Sequence, residues 1–138
     1  MNLTKILADH TSWLIGNQGK RADLRNADLR NANLRGADCQ DADFQDACLE
    51  RANFRYASLE RANLQGANLQ GADLRNADLQ GADFQGADFW NADLRSADFR
   101  DADFWNADLQ DADFTGAEVR DMVLDGANMT GVKGLVSK

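Results

Sequence analysis

The chain has 138 residues, the size of one domain, with a formal net charge of −8 and a pI near 4.5. This acidic balance argues against direct binding to nucleic acids or anionic membranes, which attract clustered Lys and Arg. No apolar run approaches the roughly 20 residues of a membrane span, and Lys5, Asp9 and His10 fall where a signal peptide would be apolar. Two cysteines, Cys39 and Cys48, fit a reducing compartment. We therefore expect a cytoplasmic protein.

The first predicted element is a short amphipathic helix within residues 1–20. Its stop signal is Gly16 followed by Asn17. The residues at helical spacing are Leu3, Ile6, Leu7, His10, Trp13 and Leu14. We expect this helix to lie across the start of the following region and cap it. A lone histidine on the apolar side of such a helix is more often a packing residue than a ligand or base, so His10 is predicted to pack.

A five-residue repeat fills residues 21–131. It reads Ala, Asp or Asn, a bulky apolar centre, a variable residue and a turn residue, and it occurs 22 times between Ala22 and Gly131. A helix is excluded, because apolar residues five apart would spread over its whole surface. In an extended triplet, Ala and the centre point to one side and the polar residue points to the other. The turn residue is Gly, Asn or Asp in 18 of the 22 repeats, and these types tolerate positive φ.

A chain that keeps turning in one sense stacks backbone on backbone at about 4.8 Å per layer and forms a solenoid. The period of five does not fix the number of sides. The A(D/N)LXX repeats resemble the pentapeptide-repeat family over about 110 of the 138 residues. The resemblance implies an all-β solenoid, namely a right-handed quadrilateral parallel β-helix with four pentapeptides per coil and about five and a half coils. The expected organisation is a helical cap (1–20), the β-helix (21–131) and a tail (132–138).

With four repeats per coil, residues 20 apart stack in columns. One column of variable residues consists of Arg35, Arg55, Arg75 and Arg95. We expect carboxylates such as Asp73 and Asp93 to interleave with these arginines and balance the charge, while an anion-binding stripe is the alternative. Columns of glutamine on other faces are predicted to hydrogen-bond to one another as ladders.

Nothing in the repeat predicts a catalytic, metal or cofactor site. Stacked carboxylates about 5 Å apart have the spacing of retaining glycosidase pairs, but here the layers impose that spacing on every face. Carboxylates in a flat row do not converge on a cation from several sides. His10 is the single histidine, and the sequence has neither a phosphate-binding loop nor a dinucleotide fingerprint. The protein is therefore predicted not to be an enzyme and to need no cofactor.

A candidate interaction surface lies near the C-terminal end. Trp90 and Trp105 occupy variable slots that should face outward, and exposed apolar residues that cluster indicate a contact. Met129, Leu135 and Val136 complete this candidate surface. The alternative is that each indole lies flat on neighbouring Gln and Ala and meets no partner. Because the tail is short for a coil perimeter, we expect self-association through the C-terminal coil as a two-fold homodimer.

These observations favour a structural or protein-interaction module built on a rigid rod, with an unidentified protein partner. The resemblance offers one alternative, because some quinolone-resistance members of the family act as acidic mimics of duplex DNA that bind DNA gyrase. The net charge of −8 agrees in sign. The arginine column from Arg35 to Arg95 interrupts the acid, and no break in the rhythm marks the projecting loop that several of those proteins carry.

Overall fold

The computed structural model describes residues 1–135 and begins with one helix, α1, spanning Leu3–Leu14. Asn2 caps its N-terminus, because the Asn2 side-chain oxygen accepts the N–H of Lys5 at 3.0 Å. Gly16 follows the C-cap residue Ile15 with a φ of +74° and ends the helix as predicted. Within the described residues, no helix is long and apolar enough to cross a membrane.

The repeat region is a parallel β-structure in which each repeat contributes one isolated bridge and no longer strand. Bridges join residues 20 apart, from Asp23–Asp43 up to Asp113–Lys133, so one coil contains four pentapeptides. We name the four faces A to D by the polar residue that each carries in the first coil. These residues are Asp23 (face A), Asp28 (face B), Asn33 (face C) and Asp38 (face D), and each face continues in steps of 20 residues.

Hydrogen bonds between coils satisfy most of the backbone of this region. In the first repeat the N–H of Leu24 donates to the Asp43 carbonyl at 2.7 Å, and the N–H of Asp43 donates to the Ala22 carbonyl at 3.0 Å. The corner is closed by the N–H of Ala27, which donates to the Leu24 carbonyl at 3.2 Å. Later repeats keep this pattern, so each coil is the template on which the next one pairs.

The core is a single column of side chains inside the tube. Every central residue from Leu24 to Phe114 is at most 4% exposed, and all seven Phe are at 0%. The inward assignment of these residues is therefore confirmed. Cys39 takes one of the central positions, and burial raises the pKa of its thiol to about 12. Small Ala alternates with the large centres, which lets successive layers interdigitate.

Helix α1 packs against the first coil through a fully buried histidine. His10 Nδ1 accepts the N–H of Ala22 at 2.9 Å, and its Nε2 donates to the Gln40 carbonyl at 2.7 Å. Leu3, Ile6 and Leu7 lie on the same side and contact the core. The packing role predicted for His10 is confirmed. Trp13 is still 38% exposed, because its ring stacks on the outer side of the imidazole at a centroid distance of 5.5 Å.

The corners use the left-handed backbone conformation throughout. All 22 turn residues have positive φ, between 55° and 76°, whether or not they are glycine. Bulky side chains adopt this region at a cost of roughly 1–2 kcal/mol per residue. The chain nevertheless places Arg51, Tyr56 and Arg61 at such corners. Arg51 Nε donates to Asn31 Oδ1 and Arg61 Nε donates to Asp41 Oδ1, each at 3.0 Å, and the Tyr56 ring contacts two arginines. These contacts help to offset the strain.

Gly81→Val and Gly66→Val are expected to lower the free energy of unfolding by about 1–2 kcal/mol, because a β-branched residue is disfavoured at positive φ. Gly81 has a φ of +68°, and a Cβ there would make only an ordinary contact with Arg61. Gly81→Asn is the matched control, because asparagine tolerates this conformation and should lose less than half as much. Urea denaturation measures the three variants, and equal stability of Gly81→Val and wild type would contradict the corner geometry.

Candidate functional site

The polar residue of each repeat closes a local turn as well as facing outward. At all 18 repeats with Asp or Asn in this slot, the side-chain Oδ1 accepts the backbone N–H of the variable residue two positions later, at 2.9 to 3.4 Å. Asp and Asn are the residues that favour such turns. The slot therefore requires Asp or Asn for architecture, and its acidity alone is no sign of a binding site.

Five of the carboxylates in this slot are neutralised by an arginine of their own repeat. The arginine Nη2 lies 2.6 to 2.8 Å from the aspartate Oδ2 in each case, and Nε contacts Oδ1. The pairs are Arg25–Asp23, Arg30–Asp28, Arg75–Asp73, Arg95–Asp93 and Arg100–Asp98. Hydrogen bonds from Arg25 lower the pKa of Asp23 to about 2, and Arg30 lowers the pKa of Asp28 in the same way.

The arginine column on face C divides into two halves. Arg75 and Arg95 pair with Asp73 and Asp93, and Arg75 Nε also lies 3.5 Å from Asp93 Oδ2. The predicted interleaving of charges is therefore confirmed for this upper half. In the lower half, Arg35 and Arg55 stand two residues after Asn33 and Asn53, whose side chains carry no charge.

Three glutamines on faces A and B, namely Gln65, Gln70 and Gln85, donate to aspartates of the next coil. Gln65 Nε2 lies 2.6 Å from Asp83 Oδ2, and Gln70 Nε2 lies 2.5 Å from Asp88 Oδ2. The predicted glutamine-to-glutamine ladder is wrong for the part of the chain that the structure describes. The reason is electrostatic, because an ionised carboxylate is a stronger acceptor than a neighbouring amide oxygen.

Glu60 departs from this amide-to-carboxylate pattern. Glu60 faces Asp78, eighteen residues later, where Gln65 and Gln70 face Asp83 and Asp88. Burial and the neighbouring Asp78 carboxylate raise the pKa of Glu60. Glu50 avoids this problem, because its Oε1 accepts the side-chain amide of Asn68 at 2.9 Å. Glu60 is thus an electrostatically unfavourable site on the polar surface.

Glu60→Gln is expected to stabilise the fold at pH 7 by about 0.5–1 kcal/mol, because the new amide can donate to Asp78. The pKa of Glu60 is raised in the folded state, so above that pKa the ionised carboxylate destabilises the fold. Below the pKa of Glu60 in the unfolded chain, the group is protonated in both states and this penalty disappears. The gain should therefore shrink as the pH falls towards about 4. Thermal melting at several pH values measures it, with Glu50→Gln as a control that should show no gain. Equal melting of Glu60→Gln and wild type at pH 7 would contradict the expectation.

The structure places the predicted surface residues in two separate settings. Trp90 on face B and Trp105 on face A are 45% and 50% exposed, and they lie on adjoining faces one coil step apart. Met129 and Leu135 are half-buried and pack against the core at the C-terminal end of the rod. Val136 lies outside the described residues. Trp90 and Trp105 therefore face solvent, whereas Met129 and Leu135 belong to the end of the core.

Four aspartates lie on the same two faces as the indoles, in the same coil or the adjacent one. Asp88 and Asp103 accept the backbone N–H groups of Trp90 and Trp105 at 3.0 and 2.9 Å. The two remaining members are Asp83 and Asp108 in the neighbouring coils of the same faces. None of the four forms a salt bridge within residues 1–135. We call these six residues the acidic Trp surface.

Tyr56 is an exposed aromatic residue that the repeat pattern did not single out. Its side chain is 53% exposed at a corner between faces C and D. The Cζ atoms of Arg35 and Arg55 lie 5.0 and 5.8 Å from its ring centroid. The one sequence signal was an aromatic residue in a slot that is otherwise small or polar.

A family model described as Pentapeptide repeats matches the chain in eight copies, over residues 20–51, 52–91 and 92–131. The chain belongs to the pentapeptide-repeat family. Members of this family form right-handed quadrilateral β-helices, and the 20-residue step of the bridges gives this chain the same four-sided coil. No curated protein matches the chain in sequence.

Solved structures of other pentapeptide-repeat proteins resemble this one. A protein from the cyanobacterium Cyanothece 51142 is 29% identical, with a TM-score of 0.64 over 66% of this chain and 63% of its own. A protein from the Arabidopsis thaliana thylakoid lumen is 37% identical, with a TM-score of 0.59 over 71% of this chain and 65% of its own. A protein from Nostoc is 28% identical, with a TM-score of 0.51 over 96% of this chain and 94% of its own. The chain thus covers less than two thirds of the first two.

Membership separates the features of this pentapeptide-repeat protein into two kinds. The buried centres, the left-handed corners and the polar-slot turns recur in nearly every repeat, so they build the rod. The acidic Trp surface, the divided arginine column and Tyr56 each interrupt the repeat at particular positions. Functional candidates are therefore to be sought among these interruptions.

Proposed function

We propose that this pentapeptide-repeat protein is a non-enzymatic interaction module that binds a basic protein segment through its acidic Trp surface. The observation that carries the proposal is the contrast between Phe and Trp. All seven Phe are fully buried, whereas Trp90 and Trp105 are 45% and 50% exposed on faces that are otherwise polar. Exposed indoles are enriched at protein contacts, where their large apolar area is covered on binding.

The charge around the indoles defines the partner. The variable residues of faces A and B next to them are Gln65, Gln85, Gln70 and Gln110. No cation of residues 1–135 forms a salt bridge with the four aspartates of the surface. Lysine and arginine side chains both pair with carboxylates and stack on indole faces. A basic segment therefore fits this surface better than an acidic or purely apolar one.

A non-enzymatic role is supported by the state of the single histidine. Both ring nitrogens of His10 are engaged, by the Ala22 N–H and the Gln40 carbonyl, and the side chain is fully buried. It is thus unavailable as a base for a nucleophile on the surface. Within residues 1–135, no cluster of three or more His, Cys, Asp or Glu is placed to hold a metal ion.

Affinity capture with matched variants tests the binding proposal. The immobilised wild type, the double variant Trp90→Gln/Trp105→Gln and the control Tyr56→Gln are compared, because Tyr56 is an exposed aromatic away from the acidic Trp surface. Basic proteins should be retained by wild type and control, lost from the double variant, and released as the salt concentration rises. Identical capture by all three proteins would contradict the proposal.

We also propose a rod of about five and a half coils, with α1 covering one end and a homodimer contact at the other. The half-buried Leu124, Met129 and Leu135 support this contact. Among residues 1–135, the N–H groups of Leu124 and Met129 have no backbone acceptor. An uncovered edge of this kind tends to pair with a copy of itself.

Sedimentation tests the dimer. The wild type should run as a dimer at tens of micromolar, and deletion of residues 132–138 together with Trp105→Gln should give a monomer. A monomeric wild type, or a dimer that survives both changes, would contradict a contact at the C-terminal coil. Circular dichroism of the truncated variant checks that the rod is still folded.

The acidic DNA mimic that binds DNA gyrase is the second candidate function. It is favoured by the carboxylates of Asp83, Asp88, Asp103 and Asp108, which stack on two faces without arginine partners. It is weakened by the five Asp–Arg pairs elsewhere, which remove negative charge from the remaining surface. A gyrase supercoiling assay with and without the purified protein distinguishes the two candidates, because a basic-segment binder should leave supercoiling unchanged.

A cytoplasmic location remains part of the proposal. It is supported by Cys39 and Cys48, which are both free thiols in the structure. The Arabidopsis protein of 37% identity comes from the thylakoid lumen, so the location needs its own test. Fractionation of the source cells, with the protein detected by antibody, provides it, and recovery outside the cytoplasm would contradict the proposal.

A further inference from the structure

The lower half of the arginine column, Arg35 and Arg55, carries guanidinium groups that are free of salt bridges in the described part of the chain. In the upper half, Arg75 Nε and Nη2 donate to Asp73 at 2.9 and 2.7 Å, and Arg95 donates to Asp93 at 2.8 and 2.7 Å. Arg35 and Arg55 occupy the same slot of the same face, but neither forms a salt bridge within residues 1–135.

The difference comes from the residue two positions earlier. Asn33 and Asn53 keep the local turn, because their Oδ1 atoms accept the N–H groups of Arg35 and Arg55 at 3.1 and 3.0 Å. The asparagine amide supplies no negative charge to the guanidinium. Asp73 and Asp93, one and two coils after Asn53, do supply it to their arginines. The exchange of Asp for Asn therefore preserves the fold at these two layers and leaves two positive charges unbalanced.

Tyr56 holds the two unbalanced guanidinium groups together. Their Cζ atoms lie 5.0 Å (Arg35) and 5.8 Å (Arg55) from its ring centroid. Arg55 Nε is buried and has no hydrogen-bond partner in the part of the chain that the structure describes. Tyr56 also has a φ of +61°, a conformation that is unfavourable for an aromatic residue. The contact with two arginines gives a physical reason for keeping a tyrosine at that corner.

The aspartate of the next coil does not compensate these charges. Asp73 lies one coil above Asn53 and is engaged by Arg75 through both oxygens. Burial raises the pKa of Asp73, and hydrogen bonds and charge from Arg75, with a smaller effect from Arg55, lower it further than burial raises it. Arg55 thus contributes to the field at Asp73 without a hydrogen bond to it.

We propose that Arg35, Arg55 and Tyr56 form a binding site for a phosphoryl group, either free or carried by a ligand. Two arginines on adjacent layers, whose backbones lie about 4.8 Å apart, can donate to different oxygens of one dianion. Arginine forks suit phosphate oxygens better than a single ammonium group does. The site lies on faces C and D, so it is separate from the acidic Trp surface on faces A and B.

Titration with inorganic phosphate, followed by NMR of the arginine Nε–H groups, tests the site. At constant ionic strength, the signals of Arg35 and Arg55 should shift and saturate, while those of Arg75 and Arg95 should stay in place. Parallel titrations with acetate and with a phosphoserine peptide compare the sources. Tighter binding of the peptide would assign the site to a phosphorylated side chain, and equal binding would assign it to free phosphate or small phosphate esters.

Variants distinguish a site from general attraction to positive charge. Asn53→Asp should weaken phosphate binding by roughly tenfold or more, because it gives Arg55 an internal carboxylate of the kind that Arg75 has. The matched control is Asn63→Asp, which adds the same charge on face A and should bind within about twofold of wild type. Even shifts across all arginines, equal shifts with acetate, or unchanged binding by Asn53→Asp would each overturn the proposal. Thermal melting of both variants confirms that they are folded.

Discussion

Phe84→Asp or Leu64→Asp is expected to unfold the rod, with a loss of more than about 4 kcal/mol. Both side chains are 0% exposed inside the tube, where an introduced carboxylate would meet neither water nor a cation. Far-UV circular dichroism and thermal melting measure the effect. Melting of either variant at the wild-type temperature would contradict the position of these residues inside the tube.

The control for these core variants is Gln45→Glu. Gln45 is exposed and makes no side-chain hydrogen bond within residues 1–135, so a charge there should change the free energy of unfolding by less than about 0.5 kcal/mol. Gln65→Glu would be a poor control, although the repeat places both glutamines in the same kind of slot. Gln65 donates to Asp83, and a glutamate there would set two carboxylates against each other as Glu60 and Asp78 are set.

Phe104→Ala is expected to cost about 3–5 kcal/mol, because it opens a cavity in the middle of the aromatic part of the core. The Phe104 ring packs against four others, with centroid distances of 4.8, 5.4, 5.4 and 6.1 Å. These partners are Phe84, Phe89, Phe99 and Phe114. Urea denaturation followed by circular dichroism measures the loss.

Two further variants separate the cavity from the aromatic contacts. Phe104→Leu keeps a central residue that the repeat uses elsewhere and should lose clearly less than Phe104→Ala. Phe54→Ala removes a ring that, within residues 1–135, packs against one other aromatic ring, that of Phe44 at 6.0 Å. It should cost less than Phe104→Ala by the value of the missing aromatic pairs, about 0.5–1.5 kcal/mol each. A loss below about 1 kcal/mol for Phe104→Ala would contradict the packing described here.

The fold of the rod could be predicted from the sequence because the features that determine it are local. Within each triplet a polar residue lies between two apolar ones, and the turn residue tolerates positive φ. Leu64 and Gly66 can therefore be assigned from five residues alone. The step of 20 residues is not local, because it depends on how many corners close a coil. The resemblance to the family supplied that number, and the bridges between residues 20 apart agree with it.

The surface was less predictable because its side chains respond to neighbours on other coils. Gln65 turns towards Asp83, eighteen residues away, so its column forms no glutamine ladder. The Arg55 guanidinium packs over the Tyr56 ring because Asn53 carries no charge, whereas Arg75 donates hydrogen bonds to Asp73. The exposure of Trp90 and Trp105 was predictable, since outward slots alternate with inward ones. Met129 and Leu135 are half-buried against the end of the core, so their part in a contact stays a prediction.

The 20-residue step between bridged positions sets which insertions and deletions would change the surface. Removing 20 residues deletes one coil, and every remaining residue keeps its face. Removing one pentapeptide rotates all later residues by one face. Loss of residues 67–71, for example, would place Arg75 above Glu50 in place of Arg55. The core could still pack, because Leu and Phe centres occur on all four faces. The charged side chains after the deletion, however, would no longer stack on their former partners. Lineages that preserve a binding face should therefore vary in length by whole coils.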